Sequence, residues 1–205
     1  KLFIDKTSYL LKSIGVNINT VPVLDLKTKG ASKIIGDRSF SKDPKIVSTI
    51  GDYCIKYFHE NGVGTVIKHI PGHGLSKVDS HEFTPVVKKK RSYLLFKIIF
   101  KYNFIAMTAH IIFDKIDRAN TVTHSKKLIK LIRNNIKFKN ILISDDLSMK
   151  SLKGTLEDNT IKAFKAGCNI VLHCNGNLRE MEIIGKNSPL VNKFITKKTS
   201  QFYKI

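Results

Sequence analysis

Short apolar runs alternate with amphipathic stretches along most of the chain. Tyr9, Leu10, Leu11 and Ile14 recur at helical spacing and stop at Gly15, a residue suited to a helix C-terminus. Val16 to Asp25 (VNINTVPVLD) is a β-branched, apolar run. Pro22 interrupts it, so Val16–Thr20 is its firmer strand. Asp43-Pro44 is a cap and first-turn pair, and Ile46, Val47, Ile50, Cys54, Ile55 and Phe58 mark one face of the helix it opens, which closes near Asn61-Gly62. Thr65-Val66-Ile67 is the next strand and runs out into a loop over residues 68–81. A short helix is expected over Ser92–Lys101, and a strand over Phe104–His110. Thr123 is expected to open a helix with Leu128, Ile129 and Ile132 inward, and Asn140–Ser144 reads as a strand. Asp158 is expected to cap a helix through Ile161 and Phe164 that stops at Gly167. Asn169–Cys174 is a fifth strand, and a helical tail follows.

Strand and helix alternate throughout, and the strands are short and continuously apolar. That is the signature of βα units around a parallel sheet. Polar residues gather at the C-terminal end of every strand: Asp25, Lys68-His69, His110, Asp145-Asp146 and His173. No glycine-rich phosphate loop follows any strand, which argues against a nucleotide-binding sheet. A barrel with chemical groups contributed by several strand ends fits better. Five strands fall short of the eight a closed barrel needs, leaving an open α/β sheet or a barrel without its beginning. At 205 residues, one domain spanning 1–205 is expected.

The net charge of +20 raises the question of a nucleic-acid partner. Such a partner calls for a basic stripe with stacking aromatics, whereas lysines here are spread over nearly every segment. The charge therefore reads as a lysine-rich composition whose field can still draw in an anionic substrate. The longest apolar contender, Tyr93 to Ile105, is broken by Lys97 and Lys101, so no membrane span is expected. No secretory signal stands at the start, which is Lys1 rather than Met. Cys54, Cys168 and Cys174 are odd in number and lack ligand spacing, and are expected as small hydrophobes in or near the core of a protein from a reducing compartment.

The loop over residues 68–81 concentrates the titratable groups. It holds His69, His73 and His81, with Asp79 two residues before the last, and Pro71, Gly72 and Gly74 deny it a helix. An Asp close to a His can orient its ring. Asp145, at another strand end, has the chemistry of a nucleophile, a base or a metal ligand. A carboxylate and a separate proton donor are the minimum for glycoside hydrolysis through a covalent intermediate. A rival reading uses His69, His73, Asp79 and His81 as ligands of a hydrolytic metal, although their spacing matches no ligand pattern.

KHIPGHG followed by DSH, with ILISDDLSM further on, resembles glycoside hydrolase family 3, and within it the bacterial β-N-acetylglucosaminidases of the NagZ type. VNINTVPVLDL, IIGDRSF, FIAMTAHIIF and AGCNIVLHCNG support the resemblance, in the family's order and over nearly the whole chain. The resemblance implies a (β/α)8 barrel, here an incomplete one of about five C-terminal βα units. It implies a retaining exo-β-N-acetylglucosaminidase with Asp145 as nucleophile, and with His81 as acid/base partnered by Asp79. Arg38, Lys68 and His69 carry over as sugar contacts, and the loop from Gly72 to His81 is expected to bring His81 in when substrate is bound. Asp146 is read as structural, His73 as loop-shaping, and His110 as equally suited to the site or the core. The implied substrate is a carbohydrate, a terminal β-linked GlcNAc on peptidoglycan fragments (GlcNAc–anhydro-N-acetylmuramyl peptides) in cytoplasmic cell-wall recycling, with no cofactor, metal, membrane or nucleic acid involved.

Two departures accompany the resemblance. The family's three βα units before the Val16 strand, with an acidic D-Q-E-G-G segment, are not found in this sequence, and the stretch between Pro85 and Phe104 is shorter. The alternative to an active enzyme is therefore an inactive remnant or a sugar-binding module of the same family.

Overall fold

The structure, a computed structural model, describes residues 1–28, 35–74, 76, 78–88 and 105–201. The helix expected over Ser92–Lys101, most of the shortened stretch before Phe104 and part of the loop before Phe40 lie outside the described residues. The chain opens with helix α1 (Leu2–Ser13), strand β1 (Ile18–Asn19), helix α2 (Pro44–Glu60) and strand β2 (Gly64–Ile70). Strands β3 (Val86–Val87), β4 (Ile105–Thr108), β5 (Ile112–Phe113) and β6 (Asp117–Thr121) follow, then helix α3 (Lys126–Asn134). Strand β7 (Ile141–Asp146), helix α4 (Leu156–Ala166), strand β8 (Ile170–Leu172) and helices α5 (Leu178–Asn187) and α6 (Lys193–Thr199) complete it.

Five strands form one parallel sheet in the order β1-β2-β4-β7-β8. Strand order follows chain order, as when each unit is laid beside the last, and among the described residues β1 and β8 are the edge strands. Alternation along the strands divides their side chains between two faces. Ile67, Ala106 and Leu142 join Leu128, Ile129, Ile132 and Ala163 of α3 and α4 in the main core. Val66, Ile105, Met107, Ile141 and Ile143 form a smaller cluster on the other face. Leu2, Phe3 and Leu10 on α1, which packs on α2, and Leu178 and Met181 on α5, which packs on α4, are exposed.

A second, three-stranded sheet, β3-β5-β6, was not expected. It lies between β2 and α3 in the chain and pairs β3 with β5 in parallel, Val86 opposite Ile112. Two helix starts also differ from expectation. Ser125 rather than Thr123 caps α3, accepting from the Leu128 amide at 3.2 Å, while residues 122–124 form a 3-10 turn. Thr155 rather than Asp158 caps α4, and Asp158 supplies the amide that the Thr155 hydroxyl oxygen accepts at 3.1 Å. A hydroxyl three residues ahead of an acid satisfies the first-turn amide and leaves the acid free to face the helix dipole. Asp43 and Pro44 begin α2 as expected, with the Asp43 carboxylate accepting from Lys45 N–H at 2.8 Å. Cys168 is buried and Cys54 half-buried, but Cys174 is exposed just past β8.

Candidate active site

The polar strand ends converge. In β7, Ile141 and Ile143 lie in the smaller cluster, so period-two alternation carries Asp145 to the same face just beyond the apolar layer. Asp146 is turned the other way and closes the turn. Its Oδ1 accepts from the Ser148 amide at 3.0 Å and the Cys174 amide at 3.3 Å, and its Oδ2 from the Ser148 hydroxyl at 2.7 Å. Asp145 Oδ1 accepts from the Asp146 amide at 2.9 Å, which leaves Oδ2 facing His69 Nε2 at 3.8 Å. Burial alone would raise the Asp145 carboxyl, but His69, His110, the Asp146 amide and Lys68 outweigh it and hold it below the usual carboxylate range. Asp145 is thus an ionised carboxylate at a strand end with one oxygen pinned and one presented.

Lys68 and His69 lie near the C-terminal end of β2, where the chain passes through cis peptides at Lys68-His69 and Ile70-Pro71. The Lys68 ammonium donates to Thr20 Oγ1 at 3.2 Å. Its partial burial disfavours the ammonium and lowers its pKa, Asp145 opposes that, and the Arg38 cation adds to the lowering. Arg38 sits on the 3-10 turn Gly36–Arg38. Arg38 and Lys68 open onto a cleft of about 880 Å³ that Thr20, Phe40, Tyr53 and Tyr57 also line.

The sequence marked Asp25 only as a polar strand end, yet its side chain is fully buried and organises the β2 exit. Its Oδ2 accepts from His69 Nδ1 at 2.7 Å and from the His69 amide at 3.2 Å, and its Oδ1 from the His73 amide. Burial would raise this carboxyl, but the His69 ring and the His73 side keep it below its ordinary value. The His73 ring lies 5.2 Å from that of His69, and its Nε2 is hydrogen-bonded to Ser80 Oγ at 3.0 Å. His110 is fully buried: Nε2–H donates to the Asp146 carbonyl at 2.9 Å, and Nδ1 meets the Thr123 hydroxyl at 2.8 Å. Burial lowers its pKa, so a neutral ring buttresses the turn that carries Asp145.

Asp79 and His81 stand apart from this row. The His81 amide donates to Asp79 Oδ1 at 2.7 Å, and His81 Nδ1 is 3.0 Å from the same oxygen, on an exposed stretch of loop. Slight burial works to raise the Asp79 carboxyl, and the hydrogen bonds from His81 override it to lower its pKa. Asp145 and Asp79–His81 are therefore two separate groupings, with no ion-pair contact between His81 and Asp145 among the described residues. The stretch after His81 is tied to the segment beyond β7: Glu82 pairs with Lys150 at 2.8 Å, and the Thr84 hydroxyl donates to the Ser151 carbonyl at 2.5 Å. No group of three or more His, Cys, Asp and Glu is arranged to hold a metal ion among the described residues. No helix in the described residues is long and apolar enough to cross a membrane.

Comparison with known proteins adds an independent line. Residues 6–197 match the family model described as Glycosyl hydrolase family 3 N terminal domain. A beta-hexosaminidase of Photobacterium profundum is 31% identical over 207 aligned positions, covering 95% of this chain and 61% of the relative. A beta-hexosaminidase of Idiomarina loihiensis is 32% identical over 188, covering 87% and 56%. The crystal structure of native NagZ from Neisseria gonorrhoeae superposes with a TM-score of 0.83 at 28% identity, covering 95% of this chain and 58% of that one. The chain thus spans a little over half the length of these relatives.

Proposed function

The chain belongs to glycosyl hydrolase family 3, and from that premise we propose that it carries the nucleophile and the acid/base pair of a retaining exo-β-N-acetylglucosaminidase. The observation that carries this reading is Asp145: a carboxylate kept ionised despite burial, one oxygen fixed by an amide and the other presented beside a lysine and an imidazole. In the proposed reaction Asp145 attacks the anomeric carbon while His81 protonates the departing glycosidic oxygen. A glycosyl-enzyme ester forms with inversion. His81, now neutral, removes a proton from water, and attack on the ester inverts the centre again and frees Asp145. An imidazole suits both steps because its ordinary pKa lies near neutrality, and unlike a carboxylate it does not repel an anionic acceptor. Asp79 holds the ring through Nδ1, so Nε2 is the atom that exchanges the proton. In this reading Lys68, Arg38 and His69 take sugar hydroxyls.

The similarity to beta-hexosaminidases supports a terminal β-linked N-acetylhexosamine as the substrate. Within that class we favour GlcNAc on peptidoglycan fragments, processed in the cytoplasm without metal or cofactor. The test is release of nitrophenol from its β-N-acetylglucosaminide by this chain, Asp145→Ala and His81→Ala. Turnover in the parent that vanishes in Asp145→Ala and falls at least ~100-fold in His81→Ala is expected. A folded, monodisperse parent without turnover would refute the enzyme reading for this chain and leave a sugar-binding role.

A further inference from the structure

The mechanism above gives Asp25 nothing to do, yet no other carboxylate in the described row is so completely enclosed. Its side chain has no exposed surface, and three N–H groups converge on its two oxygens. An ionised carboxylate only accepts hydrogen bonds. The 2.7 Å contact therefore requires a hydrogen on His69 Nδ1. The ring position left over is Nε2, and it faces Asp145 Oδ2 at 3.8 Å, too far for a direct hydrogen bond. The remaining charged or titratable neighbours of the ring are His73 at its side, Lys68 next in the chain, and His110 just beyond β4. None of them competes for Nδ1.

We propose that Asp25 is a positioning residue: it commits the His69 Nδ1 hydrogen and so presents Nε2 to Asp145 and to the sugar between them. The proposal rests on the reading of Asp145 as nucleophile. Asp25 and His69 are 44 residues apart, and the contact joins the end of β2 to a separate stretch that runs beside it, bridged at Val23 and Lys68, so the ring is fixed with respect to the sheet rather than to its own loop. Asparagine at this position is close in shape but cannot serve. Whichever way its amide is turned, an NH2 group meets at least one of the three N–H donors, and each buried donor left unsatisfied is costly.

The test reads the ring directly. The chain is labelled with 15N-histidine, its long-range proton–nitrogen spectrum recorded near pH 7, and the His69 signals assigned by their loss in His69→Gln. A hydrogen on His69 Nδ1 in the parent is expected. In Asp25→Asn that signal moves or splits between the two nitrogens, and kcat/KM for the nitrophenyl substrate falls on the order of 10–100-fold, as when the outer partner that orients a metal-bound histidine is removed. A parent in which His69 Nδ1 carries no hydrogen overturns the proposal even if Asp25→Asn does not fold. A folded Asp25→Asn with a parent-like His69 spectrum and parent-like kcat/KM overturns it as well. A parent without turnover refutes the glycosidase reading alone, because the spectrum does not depend on activity.

Discussion

Acid should loosen this fold well before its carboxylates protonate, and two histidines set the size of the effect. His73 and His124 have pKa values lowered from 6.5 to about 4, in both cases mainly by burial. Asp25 pulls His73 back toward the charged form, whereas His110 and Lys162 push His124 further from it. His73 is tied to Ser80, and His124 Nε2–H donates to the Asn159 carbonyl at 3.1 Å. The unfolded chain binds protons at these two sites as pH drops below 6.5, and the native fold does not until about 4. Their contribution is therefore fully present above pH 6.5 and is lost as pH falls toward 4. Between pH 7 and 5 the loss is ~2 kcal/mol for each, ~4 kcal/mol together. His110 and His59, also lowered by burial, act in the same direction. General repulsion in a chain of charge +20 acts in that direction too, so the parent's slope alone does not isolate the cause. Urea unfolding followed by circular dichroism, at pH 7 and pH 5 and one ionic strength, should be run on the parent, His73→Gln, His124→Gln and the double variant. Each substitution should remove ~2 kcal/mol from the pH-dependent loss. A double variant that loses as much stability as the parent over this interval would refute the reasoning.

Two substitutions test the scaffold around the site. A Cβ at Gly74 would overlap the backbone oxygen and nitrogen of Leu26, next to Asp25, so Gly74→Ala should cost on the order of 1–3 kcal/mol in thermal melting; an unchanged midpoint would contradict the close approach. Ser125 both caps α3 and donates to Asp117 Oδ2 at 2.6 Å, so Ser125→Ala should cost ~2 kcal/mol by urea unfolding, and a loss under ~0.5 kcal/mol would show that neither bond matters.

How legible these features were follows from how local their signals are. Asn140–Ser144 and Thr65–Ile67 are apolar on both faces because one face meets helices and the other the smaller cluster, and an unbroken apolar run records that directly. Asp145 was legible because it ends such a run. The small sheet was not, since β3 and β5 have two residues each, too few for any period to show. Thr155 was within reach: Thr155-Leu156-Glu157-Asp158 has the hydroxyl-x-x-acid spacing of a helix start, in which the hydroxyl, not the acid, is the cap. Asp25 could be seen as a strand end, but its role depends on amides and a ring from more than 40 residues away, which no local pattern encodes. Cys174 looked like part of an apolar strand, and that strand ends two residues earlier, at Leu172.

The stretch bearing His81 is fastened at both ends. On one side it leaves the buried strand β2, and on the other it enters β3, held to β5, with Glu82 and Thr84 lashed to Lys150 and Ser151 on the way. A cord secured at two posts can bow but cannot wander. Any displacement of His81 is therefore confined to an arc about the line joining its anchors, and one of the posts stands on the segment that follows Asp145. Whatever draws the imidazole along that arc also pulls on the far bank of the nucleophile.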